Sequence, residues 1–359
     1  MNNVIVAWAH NDARSFEAKV PLLFVGQRNQ KLGFNTLINI VFLEGLERLD
    51  AAYQSRLRDL GYVLHDASAL YTLYAKKYEQ LARFGDYERK CFIRWPVIRD
   101  LFAGESLIHY DGDIVFNEDP AIIAQKVSGK TFILQGCPAF TSIADPSWFE
   151  QYTHALDAFA ADINGYSLRA WKLRVGWEVS FATRWSGSRF RTIISSDQDL
   201  LSHLMHTNEI KQDTIQAIMH DLDDYIIFQN PLLFHMYNPH IPYTYQRENG
   251  IDFCSYTRAD GANLIYKKKI LLWHMQSCFN FYASKRLLLQ KYMPLLWWVR
   301  TQYGTTHPLI SDRVNKKIAR LSHHTDRLSV YRYFFQTHDF SCLLNGRAWW
   351  KKGVFVYHE

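Results

Sequence analysis

The sequence predicts an α/β protein with an open, mostly parallel sheet flanked by helices. Residues 37–43 (LINIVFL) are almost purely aliphatic, which is typical of a strand buried on both faces of a parallel sheet. A helical pattern over residues 49–60 and a short strand over residues 62–64 follow, with connections of only a few residues. This alternation of strand, helix and strand is typical of right-handed βαβ units.

The remaining elements follow from the same patterns. Residues 3–9 predict an opening strand and residues 16–24 a short helix, and Gly61 is well placed to end the helix over residues 49–60. Residues 91–102 (CFIRWPVIRDLF) predict a helix that leads into the next strand. Because a proline is unfavourable inside a helix, Pro96 places the start of this helix near Trp95.

Composition indicates a folded protein. The 359 residues are enough for one large α/β domain with an extension, or for two domains, and 48% of them are hydrophobic against 21% charged. The five cysteines are scattered without a Cys-x-x-Cys spacing, which favours free thiols in a reducing compartment. Residues 1–14 lack the features of a signal peptide, and no window is apolar enough for a membrane span, so we expect a cytoplasmic protein.

The most informative stretch is IHYDGDIVF, residues 108–116. Two carboxylates interrupt an apolar run, and burying an unpaired ionised group is very costly. One interpretation is that the strand ends at Tyr110 and that Asp111 and Asp113 converge on a divalent cation, at the sheet edge where such folds bind ligands. The other interpretation is an Asp-Gly turn that joins two strands of a hairpin.

Two later segments also combine a secondary-structure signal with polar side chains. Residues 195–201 (SSDQDLL) predict a helix that begins after a serine N-cap and runs to about Met205, and its acidic residues are either capping residues or functional ones. Residues 270–276 (ILLWHMQ) predict a strand that ends at His274, a structural residue or a metal ligand. Arg94 is either solvated or ion-paired, or it reaches a nucleotide or the Asp pair.

In this order, the Asp-x-Asp, the Asp-Gln-Asp-Leu-Leu helix start and the strand ending in histidine resemble the GT-A glycosyltransferases. The resemblance is closest to the retaining, glycogenin- and bacterial-galactosyltransferase-like branch. Residues 88–119 also resemble bacterial polysaccharide glycosyltransferases, in which a Phe-x-Arg-Trp helix precedes the metal strand. The resemblance covers residues 1–285 and implies a GT-A (Rossmann-like) catalytic domain there. After residue 285 the basic and aromatic character of the chain predicts a helical extension over residues 286–359 that packs on this domain.

The resemblance also implies roles for individual residues. Asp111, Asp113 and His274 would hold Mn²⁺ or Mg²⁺. The catalytic residues, close to the transferred sugar, would be Asp197, Gln198 and Asp199. Binding of the donor nucleotide is assigned to Ala7, Trp8, Arg94, Tyr110, Asp111, Gly112, Gln276 and Lys285. The chain departs from the family at Ser202 and at residues 276–278, and residues 176–180 are the best counterpart of the strand that lines the donor sugar.

The extension carries basic residues around MPLLWWV, residues 293–299. This pattern fits either a helical cap packed on the catalytic domain or an interfacial helix that makes peripheral contact with the anionic inner face of a membrane. No nucleic-acid recognition motif is present, so we expect no nucleic-acid partner.

The expected function is transfer of a sugar from a nucleotide-sugar donor, a UDP-sugar, to a hydroxyl of a glycan or lipid-linked glycan acceptor, with retention, in polysaccharide biosynthesis. Three alternatives stay open. One is an inverting enzyme of the same class. Another is a nucleotidyltransferase, which would normally carry a glycine-rich phosphate loop that this sequence lacks. The third is a sugar-binding protein, which the 15% aromatic content favours.

Overall fold

A computed structural model describes residues 1–17, 19–103, 105–133, 138–173, 194–210, 213, 225–228, 243–248, 251–257, 265–274, 349–351 and 354–356. Its strands are β1 (Asn2–Trp8), β2 (Ile38–Glu44), β3 (Tyr62–Asp66), β4 (Leu107–Tyr110), β5 (Ile114–Phe116), β6 (Phe132–Ile133), β7 (Phe140–Ile143), β8 (Tyr225–Phe228), β9 (Tyr243–Glu248), β10 (Ile251–Thr257), β11 (Ile265–His274), β12 (Trp349–Lys351) and β13 (Val354–Val356). Its α-helices are α1 (Ala13–Glu17), α2 (Leu22–Lys31), α3 (Ala51–Asp59), α4 (Ser68–Lys77), α5 (Asp86–Leu101), α6 (Pro120–Lys126), α7 (Ser147–Ala161), α8 (Ile163–Leu173) and α9 (Asp197–His206).

The first of two compact units contains a six-stranded sheet in the order β3-β2-β1-β4-β7-β6. The four strands from β3 to β4 are parallel to their neighbours, and β7 and β6 are antiparallel additions at one edge. The inner strands β2, β1, β4 and β7 are largely buried, as a sheet covered on both faces requires, whereas the edge strand β3 buries only Tyr62. The predicted fold class, a mostly parallel sheet with flanking helices, is confirmed.

Two helices differ from their predicted bounds. The single helix predicted over residues 16–24 is wrong: α1 ends at Glu17, and α2 begins at Leu22 directly after Pro21 and continues to Lys31. Proline favours the start of a helix and disfavours its interior, which explains the break at this point. The predicted start near Trp95 is also wrong, because α5 begins at Asp86 and continues through Pro96.

Helix α5 is the central helix of the first unit. Every residue from 90 to 98 is buried, which is expected of a helix that is enclosed on all sides. Its buried aromatic residues Phe92 and Trp95 belong to the same cluster as Tyr152 and Phe159 of α7. The Trp95 ring contacts the Tyr152 ring with centroids 6.1 Å apart. Arg94 and Lys90 are therefore charged side chains inside an apolar core, and each requires a partner.

The second unit contains a sheet in the order β5-β11-β10-β9, with β8 paired in parallel to β11. Strand β11 is antiparallel to both β5 and β10 and ends at His274, so the predicted late strand ending in histidine is confirmed. The hairpin interpretation of the Asp-Gly pair is wrong. Strand β4 pairs with β1 and β7, whereas β5 pairs with β11, so the two strands belong to different sheets.

The described part of the predicted extension consists of β12 and β13, which pair antiparallel. These six residues are strands, so the helical prediction is wrong for them. The other residues of 286–359, including 293–299, lie outside the described ranges, and the domain boundary at residue 285 stays a prediction. Among the described helices, none has both the length and the apolar character needed to cross a membrane.

Candidate metal and donor site

Asp111 and Asp113 lie where the chain passes from β4 to β5. As predicted, the strand ends at Tyr110, and the Asp111 backbone N–H then donates to the Ala139 carbonyl at 2.9 Å. Tyr110 is fully buried, and its hydroxyl donates to Asn3 Oδ1 at 3.0 Å. Gly112 separates the two carboxylates, whose side chains are 32% exposed at Asp111 and 21% exposed at Asp113. Both remain accessible to an ion.

His274 joins this pair through the sheet register. In the β5–β11 ladder His274 is opposite Ile114, the residue directly after Asp113. Its Nε2 atom lies 3.4 Å from Asp113 Oδ1, and its side chain is only 4% exposed. One ligand atom from each of Asp111, Asp113 and His274 lies within 4.8 Å of the other two. The predicted metal ligands are therefore adjacent to one another.

This donor set fits a divalent cation. Bond lengths of about 2.1 Å place neighbouring donor atoms of an octahedral ion about 3 Å apart and opposite ones about 4 Å apart. The observed spread of up to 4.8 Å therefore needs only small side-chain rotations. Two carboxylates and one imidazole suit Mn²⁺, and a site that keeps open positions for phosphate oxygens also suits Mg²⁺. The geometry leaves the identity of the ion open.

Arg94 connects Asp111 to Asp197. Its Nη1 atom donates to Asp111 Oδ1 at 3.0 Å, and its Nε and Nη2 atoms donate to Asp197 Oδ2 at 3.0 and 2.7 Å. The indole N–H of Trp95 donates to the same Asp197 oxygen at 3.0 Å. Both sequence interpretations of Arg94 thus hold in part, because it is ion-paired and one of its partners is a carboxylate of the Asp pair.

Burial and charge oppose each other in this network. Burial lowers the pKa of Arg94, but the carboxylates of Asp197 and Asp111 outweigh it and hold that pKa well above its ordinary value, so Arg94 is charged. Burial raises the pKa of Asp197, and the Arg94 guanidinium and the Trp95 indole oppose that rise. Burial and the charges of Asp197 and Asp199 raise the pKa of Glu88 to about 7. A carboxyl group that titrates near neutral pH is a feature of many functional sites.

The start of α9 shows why Asp197 and Asp199 differ. Ser196 is the N-cap, and its hydroxyl accepts from the Asp199 backbone N–H at 3.2 Å. Asp199 Oδ2 accepts in return from the backbone and hydroxyl of Ser195, at 3.0 and 3.1 Å. Asp199 therefore closes the helix start, a structural role. Asp197 instead faces Arg94 and Trp95, while Gln198 is exposed.

Ala7 and Trp8 lie at the carboxyl end of β1. The Trp8 ring contacts the exposed ring of Tyr87 edge-on, with centroids 5.5 Å apart. On the same edge the fully buried Lys90 ammonium lies 2.9 Å from Glu44 Oε2 and 6.0 Å from the centre of the Trp8 ring. This edge of the parallel sheet therefore carries an aromatic pair beside a buried lysine that is ion-paired with Glu44.

Sequence reasoning missed Trp95, Glu88 and Lys90 as parts of this region. A helical wheel drawn from Asp86 would have placed Lys90 and Arg94 one turn apart on one face, but Pro96 argued against a helix there. Gln276, Lys285 and residues 176–180 lie outside the described ranges, and their donor-binding roles stay predictions.

No protein-family model matches the chain, and no curated protein is significantly similar to it in sequence. The function is therefore inferred from the geometry of the site. That geometry offers a hard-cation donor set after a strand of a mostly parallel sheet, with a buried arginine linking it to a second carboxylate. It can hold a metal, bind phosphate oxygens through that metal and place Asp197 nearby.

Proposed function

We propose that the protein is a metal-dependent glycosyltransferase that moves a sugar from a nucleotide-sugar donor, a UDP-sugar, to a hydroxyl of a glycan or lipid-linked glycan. The observation that carries this proposal is the group of Asp111, Asp113 and His274, whose ligand atoms lie within 4.8 Å of one another directly after a strand of a mostly parallel sheet. In sheets of this kind ligands bind beyond the carboxyl ends of the strands.

A divalent ion held by these three residues would neutralise the charge that develops on the departing diphosphate. Asp111 has two carboxylate oxygens, so it can accept from Arg94 through Oδ1 and still ligate through Oδ2. The guanidinium of Arg94 holds both Asp111 and Asp197 in place. Asp197 would then stabilise positive charge at the anomeric carbon of the transferred sugar.

The resemblance to retaining glycosyltransferases supports retention of configuration. In that scheme the leaving diphosphate accepts the proton of the acceptor hydroxyl, and the protein mainly positions the two substrates. The edge-on pair of Trp8 and Tyr87 at the carboxyl end of β1 offers an aromatic surface for the nucleotide base. The scattered cysteines support a cytoplasmic location, where nucleotide sugars are made.

Hydrolysis of nucleotide sugars tests this proposal, because it requires no acceptor. We expect the wild-type protein to hydrolyse at least one UDP-sugar in Mn²⁺, to lose that activity in EDTA and to regain it when Mn²⁺ or Mg²⁺ is restored. Asp113→Asn should abolish hydrolysis, whereas Asp59→Asn at the exposed end of α3 should not.

The alternatives give different results in the same assay. A nucleotidyltransferase would consume a nucleoside triphosphate and a sugar phosphate, and a sugar-binding protein would bind without turnover. Full activity in excess chelator, or activity that survives Asp113→Asn, would overturn the assignment of Asp111, Asp113 and His274 as metal ligands.

A further inference from the structure

Pro96 opens a gap in the hydrogen bonds of α5. In an α-helix the backbone N–H of residue 96 would donate to the carbonyl of residue 92, but proline has no N–H, and its ring presses on that carbonyl. The Phe92 carbonyl is therefore without its helical partner. Arg94 and Trp95, the two residues that hold Asp197, lie within the turn that this carbonyl begins and Pro96 ends.

Tyr152 fills the gap from α7. Its hydroxyl donates to the Phe92 carbonyl at 3.1 Å, and its ring contacts the Trp95 ring edge-on. The Tyr152 side chain is fully buried and stacks on Trp148 with centroids 5.6 Å apart. Burial raises the pKa of Tyr152 well above its ordinary value, so the hydroxyl remains a donor at every working pH. One side chain thus bonds to the Phe92 carbonyl and contacts the ring of Trp95.

We propose that Tyr152 is a positioning residue for the catalytic carboxylate, acting through the turn of α5 that Pro96 interrupts. By bonding to the Phe92 carbonyl, Tyr152 sets the direction of the Arg94 and Trp95 side chains and so the position of Asp197. Its effect on turnover rests on the proposed function, whereas its effect on Trp95 does not.

The chain offers a rescue experiment. Pro96→Ala restores a backbone N–H at residue 96, which can bond to the Phe92 carbonyl and replace the Tyr152 hydroxyl. If Tyr152 acts through that carbonyl, Tyr152→Phe should matter in the wild-type background and matter little in the Pro96→Ala background. If Tyr152 only fills the core, the loss of its hydroxyl should have the same effect in both.

The first readout is UDP-sugar hydrolysis in Mn²⁺. We expect Tyr152→Phe to lower kcat by about tenfold with KM changed by less than about twofold, because a small displacement of a catalytic group affects turnover more than binding. Pro96→Ala/Tyr152→Phe should stay within about twofold of Pro96→Ala. Tyr166→Phe is the matched control, because the buried Tyr166 hydroxyl has no hydrogen-bond partner among the described residues.

The second readout is independent of catalysis. In the protein labelled with ¹⁵N-tryptophan, the Trp95 indole signal is assigned by its loss in Trp95→Phe; it should move in Tyr152→Phe and return in the double variant. A wild-type protein without hydrolysis overturns the proposed function, and the indole signal then still tests the role of Tyr152.

Three results would overturn the role of Tyr152. One is an unmoved Trp95 indole signal in Tyr152→Phe. Another is an equal loss of kcat from Tyr152→Phe in both backgrounds. The third concerns folding. If Tyr152→Phe does not fold, the Pro96→Ala/Tyr152→Phe double variant should fold, and a double variant that also fails to fold would overturn the role.

Discussion

Arg94 donates two hydrogen bonds to one carboxylate oxygen of Asp197, from Nε at 3.0 Å and from Nη2 at 2.7 Å. Their side chains are only 6% and 4% exposed, so solvent screens the pair little. Removing one partner of such a pair leaves an uncompensated buried charge, which costs about 3–5 kcal/mol. Because the same guanidinium also bonds to Asp111, Arg94 links Asp197 to one of the three candidate metal ligands.

Arg94→Lys tests whether the simultaneous hydrogen bonds of the guanidinium to Asp197 and Asp111 are needed. Lysine keeps the charge but has one nitrogen in place of three, so it cannot bond to Asp197 and Asp111 as Arg94 does. We expect kcat for UDP-sugar hydrolysis to fall by at least about tenfold, and the free energy of unfolding in urea to fall by about 1–3 kcal/mol. Arg58→Lys on the exposed face of α3 is the control, and an equal, small effect of both changes would contradict the linking role.

Asp197→Asn removes charge with little change in volume. The N-cap of α9 is Ser196, so this change leaves the helix cap in place. We expect kcat to fall while nucleotide binding, measured by calorimetry, stays nearly intact. Asp199→Asn should instead lower the thermal midpoint, because it weakens the bonds to Ser195. If Asp197→Asn lowers stability and leaves kcat unchanged, Asp197 is a structural residue.

His274→Ala separates a metal ligand from a structural histidine. If His274 ligates the ion, Mn²⁺ affinity should fall by at least about tenfold, and nucleotide affinity in Mn²⁺ should fall with it. Titration of Mn²⁺ with and without UDP measures both. The exposed His154→Ala serves as the control. Unchanged nucleotide affinity in His274→Ala would show that the histidine only packs against Asp113.

Glu88 predicts a pH dependence of stability. Burial and the neighbouring charges of Asp197 and Asp199 raise its folded-state pKa to about 7, above the value of 4.5 for an exposed glutamate. Between these two values the folded protein holds a proton that the unfolded chain has released, so this group makes stability fall as the pH rises from about 4.5 to 7. We expect Glu88→Gln to reduce that fall by about 2 kcal/mol in urea titrations.

The exposed Glu79→Gln is the matched control for Glu88. If the wild-type protein and Glu88→Gln lose the same stability between these two pH values, the environment assigned to Glu88 is wrong.

The strands of the parallel sheet could be predicted because their signal is local. Residues 37–43 are apolar at nearly every position, as expected of a strand buried on both faces, and the observed strand β2 spans Ile38–Glu44. The interruption at Asp111 likewise marked the end of β4 correctly. In these segments the apolar pattern of the sequence matches the burial of the side chains, so the pattern alone was enough to predict the strands.

The errors have a different origin. Pro96 lies inside α5 because Tyr152 satisfies the carbonyl that the proline leaves open, and no pattern near residue 96 contains that partner. The Asp-Gly pair carries a strong local hairpin signal, but β5 pairs with β11 instead. The link between Arg94 and Asp197 joins residues 103 positions apart, so spacing could suggest each residue but not the bond.

The burial of Lys90 makes its amine unreactive towards reagents in solvent. Its ammonium is fully buried and ion-paired with Glu44, and it also bonds to Asp86. Amine-acylating reagents need an accessible, uncharged amine, so the folded protein should shield this side chain while surface lysines such as Lys76 react. Covalent labelling at Lys90 would then require local opening of the edge where β1 and β2 end, and the labelling rate would measure how often that opening occurs.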